Sequence, residues 1–490
     1  MLGCTMSTLS SGSVLGAALS LAVTTMGAGV LTLPSAYADA GVIPATLLLA
    51  GVAVLTVFSV DYIIVGVEKL GRNSYEELAR ELLGKKAEEG VRWTLMLYNV
   101  GSAVSYLVII QDLVEPLQPF ITRYLPLLTT PKHTLLSFWA VVILPLSCVP
   151  TLGALHVSSF LAISATGLIC ALIIFRYFIP GPTVPSSVTM AALANGAIPV
   201  KWWWGNHPLL ALPIIMFSFD CQSLVFQIYA GLGDMRRSVM MRVSIISLVV
   251  TGIIHAAVGI FGYLSNPVDV RDNIISNYDP KVDRLFRMGY ILYSTPIVLA
   301  YVLMLFPIRD SIFFFWYGYS SASVATHVPR RKDFTLLVNQ EEALELIVSA
   351  KEEHRQQHSH CNGFTCNNTN YGSAKEVLQH VVEAKKHQNE TERIPLRDHL
   401  IISVTLNAFC VAIALLAPGM VSVVSLLGAL CSSTLCFVVP GLYRWQLHYK
   451  NIARLNTFWE FGLMVSMIAF GVIAAVLGTA TSVKSAFFSM

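Results

Sequence analysis

Apolar residues in this 490-residue chain gather into eleven long runs separated by shorter polar stretches. A helix needs about 20 consecutive, mostly apolar residues to cross the hydrocarbon core of a bilayer. The runs fall at 13–37, 42–67, 91–120, 134–149, 152–178, 209–232, 239–264, 285–308, 400–417, 421–443 and 458–481. The fourth is short. The third is long and amphipathic, and is expected to tilt or to extend past the bilayer. The first run has no basic stretch ahead of it and outlasts the core of a signal peptide, so it reads as a spanning helix. The pattern predicts an all-α polytopic membrane protein with about 11 transmembrane helices.

Three polar stretches interrupt the pattern. Residues 72–90 are charged, and Ser74 three positions ahead of Glu77 has the spacing of a capping box, which predicts a short surface helix. Residues 179–208 are rich in Pro, Gly and Trp. Trp202, Trp203 and Trp204 suit the membrane interface. The long insert at 318–396 separates helices 1–8 (residues 1–317) from helices 9–11 (397–490). It is expected to be a cytosolic loop, helical near Glu341, Glu342 and Glu345 and disordered around 358–371.

Composition supports the membrane reading. Hydrophobic residues make up 55% and charged residues 12% of the chain, against about 25% charged in soluble domains. The net charge of +3 says little about partners, and with no basic stripe a nucleic-acid partner is not expected. Nine cysteines are scattered without a Cys-x-x-Cys pair. Cys361 and Cys366, near His354, His358 and His360, do not have zinc-site spacing, so no metal or cofactor is expected. Placing the N-terminus in the cytosol puts 23 basic residues on the cytosolic side and 9 opposite; eleven of the 23 belong to the long insert and its flanks.

Two runs are broken in ways a buried helix rarely tolerates. The first reads Thr24-Thr25-Met26-Gly27-Ala28-Gly29-Val30-Leu31-Thr32-Leu33-Pro34. Non-helical backbone at membrane depth persists only where protein buries it or water lines it. Transporters use such breaks, because half-helix N-termini meet anionic groups and unwound carbonyls meet cations. Close helix packing through small residues is the plainer explanation of Gly-x-Gly. The sixth run places Asp220 in Pro213-Ile214-Ile215-Met216-Phe217-Ser218-Phe219-Asp220-Cys221-Gln222. A carboxylate there marks a cavity or a partner. It can serve as a proton carrier or as a ligand for a cationic side chain, and it can equally be paired structurally. Asp61, Asp112, Glu115, Arg176 and Arg309 lie nearer run ends, where snorkelling explains them. His255 lies deeper and reads as a packed, hydrogen-bonded histidine. No Walker, His-Glu-x-x-His or Gly-x-Ser-x-Gly motif is present, so an enzyme is not expected.

These motifs have a family likeness. The first run resembles the Gly-Ala-Gly-[Val/Ile]-Leu-x-Leu-Pro signature of the amino acid/auxin permease family. Tyr106-Leu107-Val108 with Asp112, Leu144-Pro145-Leu146 with Leu152 and Ser158, and Phe217-x-Phe219 with Cys221 and Gln227-Ile228-Tyr229 follow in the family's order. Phe306-Pro307-Ile308-Arg309 and Gly428-Ala429 with Pro440 and Tyr443 complete it. The resemblance implies a leucine-transporter-like core: a five-plus-five inverted repeat with broken first and sixth helices. It also implies substrate binding by Thr25, Met26, Gly27, Ala28, Gly29 and Val30, by Phe217, Ser218, Phe219, Asp220 and Cys221, and by Asn99 and Ser102 of the third span. Sodium-coupled relatives carry Thr or Ser shortly before Phe-Pro-Ile-Arg. Here 300–305 offers only Tyr301, with Ser294 and Thr295 further back, which leans towards proton coupling. Coupling-ion candidates are therefore Asp220, Ser294 and Thr295.

The function expected is secondary active transport of an amino acid with a proton, or with sodium, across the plasma membrane or the membrane of a vacuole or other acidic organelle. An amino acid sensor signalling through the long loop is the alternative. The orientation has a direct check. Asn367-Asn368-Thr369 and Asn389-Glu390-Thr391 are glycosylation sequons in the insert. With the insert in the cytosol, glycosidase treatment leaves the protein's electrophoretic mobility unchanged; a mobility shift abolished by mutating these asparagines would invert the topology.

Overall fold

A computed structural model of the chain describes residues 13–148, 156–179, 200–317, 396–455 and 457–488. The described residues are helical, with no strand among them. The long insert, with its sequons, cysteines and histidines, lies outside them.

Among the described residues, eight helices are each long and apolar enough to cross a membrane: Val42–Leu70, Lys85–Tyr124, Pro208–Ala230, Arg237–Ser265, Arg284–Phe313, Arg397–Leu416, Met420–Tyr449 and Phe458–Ser485. They match the second, third, sixth to eighth and ninth to eleventh runs. The first run folds as two half-helices, Val14–Thr25 and Leu33–Ala40, joined by a 3₁₀ segment, Ala28–Thr32. The fourth spans 131–147 with a π turn at Trp139–Ile143, and the fifth is His156–Phe178. Two compact units are distinguishable. The larger holds residues up to Arg309 and from Leu400 onward; the smaller, Asp310–His399, contains the end of the eighth-span helix and the start of the ninth.

The sequence expectation differs at the third span. Its helix starts at Lys85, not 91, and ends at Val114, where Pro116 enforces a 3₁₀ turn before Gln118–Tyr124. The surface helix is correspondingly only Tyr75–Leu83. Gly84, at φ 95°, takes a conformation that L side chains rarely adopt and separates the two helices. Ser74 caps the surface helix by accepting the Glu77 N–H at 3.1 Å. The helix lays Tyr75, Leu78 and Leu82 into the same core as Tyr443 and Leu447 of the tenth span.

The Trp-rich segment has a structural task. A helix leaves its first N–H and last C=O groups without intrahelical partners. At the turn between the first and second spans those groups are taken by residues 201–207. The N–H groups of Val42 and Ile43 donate to the carbonyls of Lys201 and Trp202 at 3.0 and 2.9 Å. The carbonyls of Asp39 and Ala40 accept from His207 and Gly205 at 3.0 and 2.9 Å. A side chain at Gly205 would strike the Asp39 carbonyl. Trp202, Trp203 and Trp204 stay exposed, as interface anchors would.

Several charges near span ends are bonded inside the protein rather than merely snorkelling. Asp61, buried in the second span, receives both Nε and Nη2 of Arg237 at 2.6 Å. Glu68 accepts the Arg237 backbone N–H at 2.5 Å and the Tyr229 hydroxyl at 3.2 Å. Arg176 meets Asp283 at 2.6 Å. Arg309 donates to Ser403 Oγ at 3.3 Å and the Ser147 carbonyl at 3.4 Å.

The sixth and tenth spans touch backbone to backbone where Gly428 meets the Pro213 carbonyl, so an added methyl would collide with main chain. Overpacking of this kind costs about 1–3 kcal/mol or more when the backbone must yield. Gly428→Ala is expected to lower the unfolding temperature of the detergent-solubilised protein by several degrees. Gly51→Ala, which faces open space, should leave it unchanged.

Candidate functional site

The two breaks lie against each other. The first half-helix ends at Thr25, whose hydroxyl donates to the Ala22 carbonyl at 2.7 Å. That leaves the Thr251 hydroxyl of the seventh span as the donor in the 3.0 Å contact between the two threonines. Met26 and Gly27 leave the helix, and the backbone resumes as 3₁₀ from Ala28. The Tyr106 hydroxyl lies beside the backbone of Ala28. Thr32 turns its hydroxyl back onto the Gly29 carbonyl at 2.8 Å.

The sixth span is interrupted in the same way. Pro208–Ser218 ends, residues 219–221 are unwound, and Gln222–Ala230 begins. Gln222 sutures this break. Its Oε1 accepts the Cys221 N–H at 2.9 Å and the Cys436 thiol at 3.0 Å, and its amide donates to Ser59 Oγ at 3.1 Å. One side chain thereby ties the break to the second and tenth spans.

Contact between the breaks is closest at Gly29. A Cβ there would lie 2.7 Å from Ser218 Oγ and 2.9 Å from Ser218 Cα. At Gly27 the nearest atom would be the Tyr106 hydroxyl at 3.1 Å. Thr25 to Val30 and Phe217 to Cys221 are thus brought together as one buried patch, Gly27 being half-buried. Within it Phe217 leans on Tyr98 of the third span, with ring centroids 5.8 Å apart. Phe219 turns the other way and meets His255 edge-on at 5.1 Å.

The remaining candidates divide. Ser102 sits one turn from Tyr98 and beside its hydroxyl. Asn99 is buried but gives its amide to the Leu95 carbonyl of its own helix at 2.7 Å. Ser294 is bonded to the Ile291 carbonyl at 2.8 Å, and Thr295 is on the exposed face of the eighth span. Neither is brought to the breaks. Tyr301 is committed elsewhere: its hydroxyl donates to Asn407 Oδ1 at 2.8 Å, and the Asn407 amide continues to Ser147 Oγ at 2.9 Å. His255 is fully buried with neither ring nitrogen hydrogen-bonded among the described residues, against the expectation of a satisfied histidine.

Sequence reasoning did not place Tyr98, Gln222 or Ser432 at the site, and it named Tyr106 only as part of the third-span likeness. A glutamine within an apolar run was a usable signal for Gln222. Tyr98 had none, since an aromatic in a spanning helix is ordinary. At the Trp end, Asp112 accepts from Asn273 at 3.1 Å and Asp272 accepts the Val421 N–H at 3.4 Å. Desolvation by the surrounding protein raises the Asp272 carboxyl above its ordinary range, and the Val421 bond partly offsets this.

The profile of a family described as transmembrane amino acid transporter protein matches residues 10–484. The chain belongs to that family. Its members are carriers, not enzymes. Vacuolar amino acid transporter 6 of Saccharomyces cerevisiae is 23% identical over 456 residues, covering 91% of this chain and 93% of that protein. Sodium-coupled neutral amino acid symporter 2 of Danio rerio is 25% identical over 304 residues, 59% of this chain and 60% of that protein. Among solved structures, the substrate-bound outward-open state of a Na⁺-coupled sialic acid symporter aligns with a TM-score of 0.47 at 15% identity, over 96% of this chain and 88% of that one.

The contrast between the two glycines gives a graded test. Gly29→Ala is expected to abolish uptake in proteoliposomes, because its methyl meets main chain. Gly27→Ala should retain measurable uptake, since only a tyrosine hydroxyl must move, while Gly27→Val should lose it. All three variants should insert into the membrane normally.

Proposed function

We propose that this chain is a secondary active carrier that moves amino acids across a membrane by alternating access, driven by a proton gradient. The observation that carries this reading is the meeting of the two breaks at Gly29 and Ser218. Each break joins the C-terminal end of one half-helix to the N-terminal end of the next. Carbonyl and N–H groups released by both are therefore side by side. An amino acid presents a carboxylate and an ammonium on one carbon, and that pair of charges complements such a site without any charged side chain. The backbone around the breaks, at 26–30 and 217–221, holds the α-groups, and Phe217 and Tyr98 wall the side chain.

Proton rather than sodium coupling is supported by the eighth span. Ser294 and Thr295 are turned away from the breaks, and Tyr301 is bound to Asn407. Alternating access follows if the substrate binds the closed arrangement more tightly than either open one, since a ligand shifts an equilibrium only through its differential affinity. The relative named for the vacuole favours an acidic-organelle membrane, with the plasma membrane as the alternative.

The deciding experiment is uptake of labelled neutral, cationic and acidic amino acids into proteoliposomes under an imposed pH gradient, then a sodium gradient. Accumulation driven by the pH gradient alone is the expected result. Sodium-driven accumulation would overturn the coupling ion. Binding without accumulation of any class would replace the carrier with a sensor.

A further inference from the structure

Asp220 is unlike every other buried carboxylate among the described residues of the spans. Asp61 has Arg237, and Asp112 has Asn273. Both oxygens of Asp220 are buried and make no hydrogen bond of good geometry with the described residues. None of the described Lys, Arg or His side chains pairs with it. Its surroundings are the Ser432 hydroxyl and Cys436 thiol of the tenth span, the N–H of Gln222, and the more distant Tyr75, Tyr98, Cys221 and Cys431. The Ser432 hydroxyl is itself buried and without a hydrogen-bond partner.

The facing element is also irregular. The tenth span carries two π turns, Gly428–Ser432 and Thr434–Val438, around Ser432 and Cys436. Such turns inside α-helices disturb the regular pairing of carbonyls and are frequent at functional sites. A buried carboxylate without a counter-charge is costly in a membrane. The charge can be met by a cation that arrives with the ligand. A proton needs one acceptor. Two buried carboxylate oxygens beside a hydroxyl, with no fixed positive charge nearby, suit a group with several donors.

We propose that Asp220 and Ser432 form the side-chain subsite of the transport site and take the ammonium or guanidinium of a cationic amino acid. This rests on the carrier reading above and narrows its substrate class. Asp220 adjoins the α-group site in sequence and faces the tenth span, so substrate bridges the sixth and tenth spans. Tyr98 and Phe217 lie along the aliphatic stem.

The test is uptake of labelled lysine, arginine, leucine and alanine by wild type, Asp220→Asn, Asp220→Glu and Ser432→Ala, paired with thermal stabilisation of each solubilised protein by lysine. Removing one partner of a buried charge pair costs about 2 kcal/mol or more, which is about 30-fold or more in affinity. Asp220→Asn is expected to lose lysine and arginine uptake by that factor and to lose stabilisation by lysine, while leucine and alanine uptake persists. Asp220→Glu should retain part of the lysine response, and Ser432→Ala should weaken it less than Asp220→Asn. Wild type that neither transports nor is stabilised by lysine or arginine would overturn the subsite. So would an Asp220→Asn variant that loses all four substrates together with pH drive, since that marks a proton carrier. Should no substrate accumulate in any protein, the carrier reading fails; lysine stabilisation abolished by Asp220→Asn would still uphold the subsite.

Discussion

Hydrocarbon offers no hydrogen bonds, and this governs the whole molecule. Each backbone group freed from a helix must find a partner inside the protein. The chain frees such groups at the breaks of the first and sixth spans, at the π turns of the tenth, and at the turn between the first and second spans. Each place has its own remedy. Thr32 takes the Gly29 carbonyl, Gln222 takes the Cys221 N–H, and residues 201–207 take the four groups at the first turn. The irregular backbone is thus supported, and what is left available to a ligand is confined to one place.

Packing at that place is set by absent side chains. Gly29 lets the 3₁₀ segment lie on Ser218, and Gly428 lets the tenth span lie on Pro213. The sixth span is therefore held between the first and the tenth at main-chain distance. A displacement of any of the three is transmitted to the others, because close-packed interiors have no slack to absorb it.

Much of this organisation was legible beforehand. Spans are long apolar runs, and run length survives tertiary context. The break in the first span was visible because Gly-x-Gly and Pro34 are poor helix formers in any setting. Asp220 was visible because an acid in an apolar run has few explanations. What could not be read were relationships between distant segments. Nothing near Asp61 identifies Arg237 as its partner, and nothing near Ser294 says which way its helix face turns. Lys85 was hidden as a helix start because the charges around it read as part of the surface helix until Gly84 is seen at φ 95°.

In the second π turn the Val439 N–H reaches the Thr434 carbonyl. The Leu435 carbonyl would then look to residue 440, but Pro440 has no N–H to offer. The Tyr75 hydroxyl fills the gap at 2.6 Å, while Tyr443 returns a bond to the Tyr75 carbonyl at 2.8 Å. If the tenth span tightened to regular α, Val439 would satisfy Leu435 itself and the tyrosine would lose its acceptor. The amphipathic helix at the membrane surface is therefore latched to the winding of the tenth span, and a change of helical pitch inside the bilayer would be felt outside it as a released clasp.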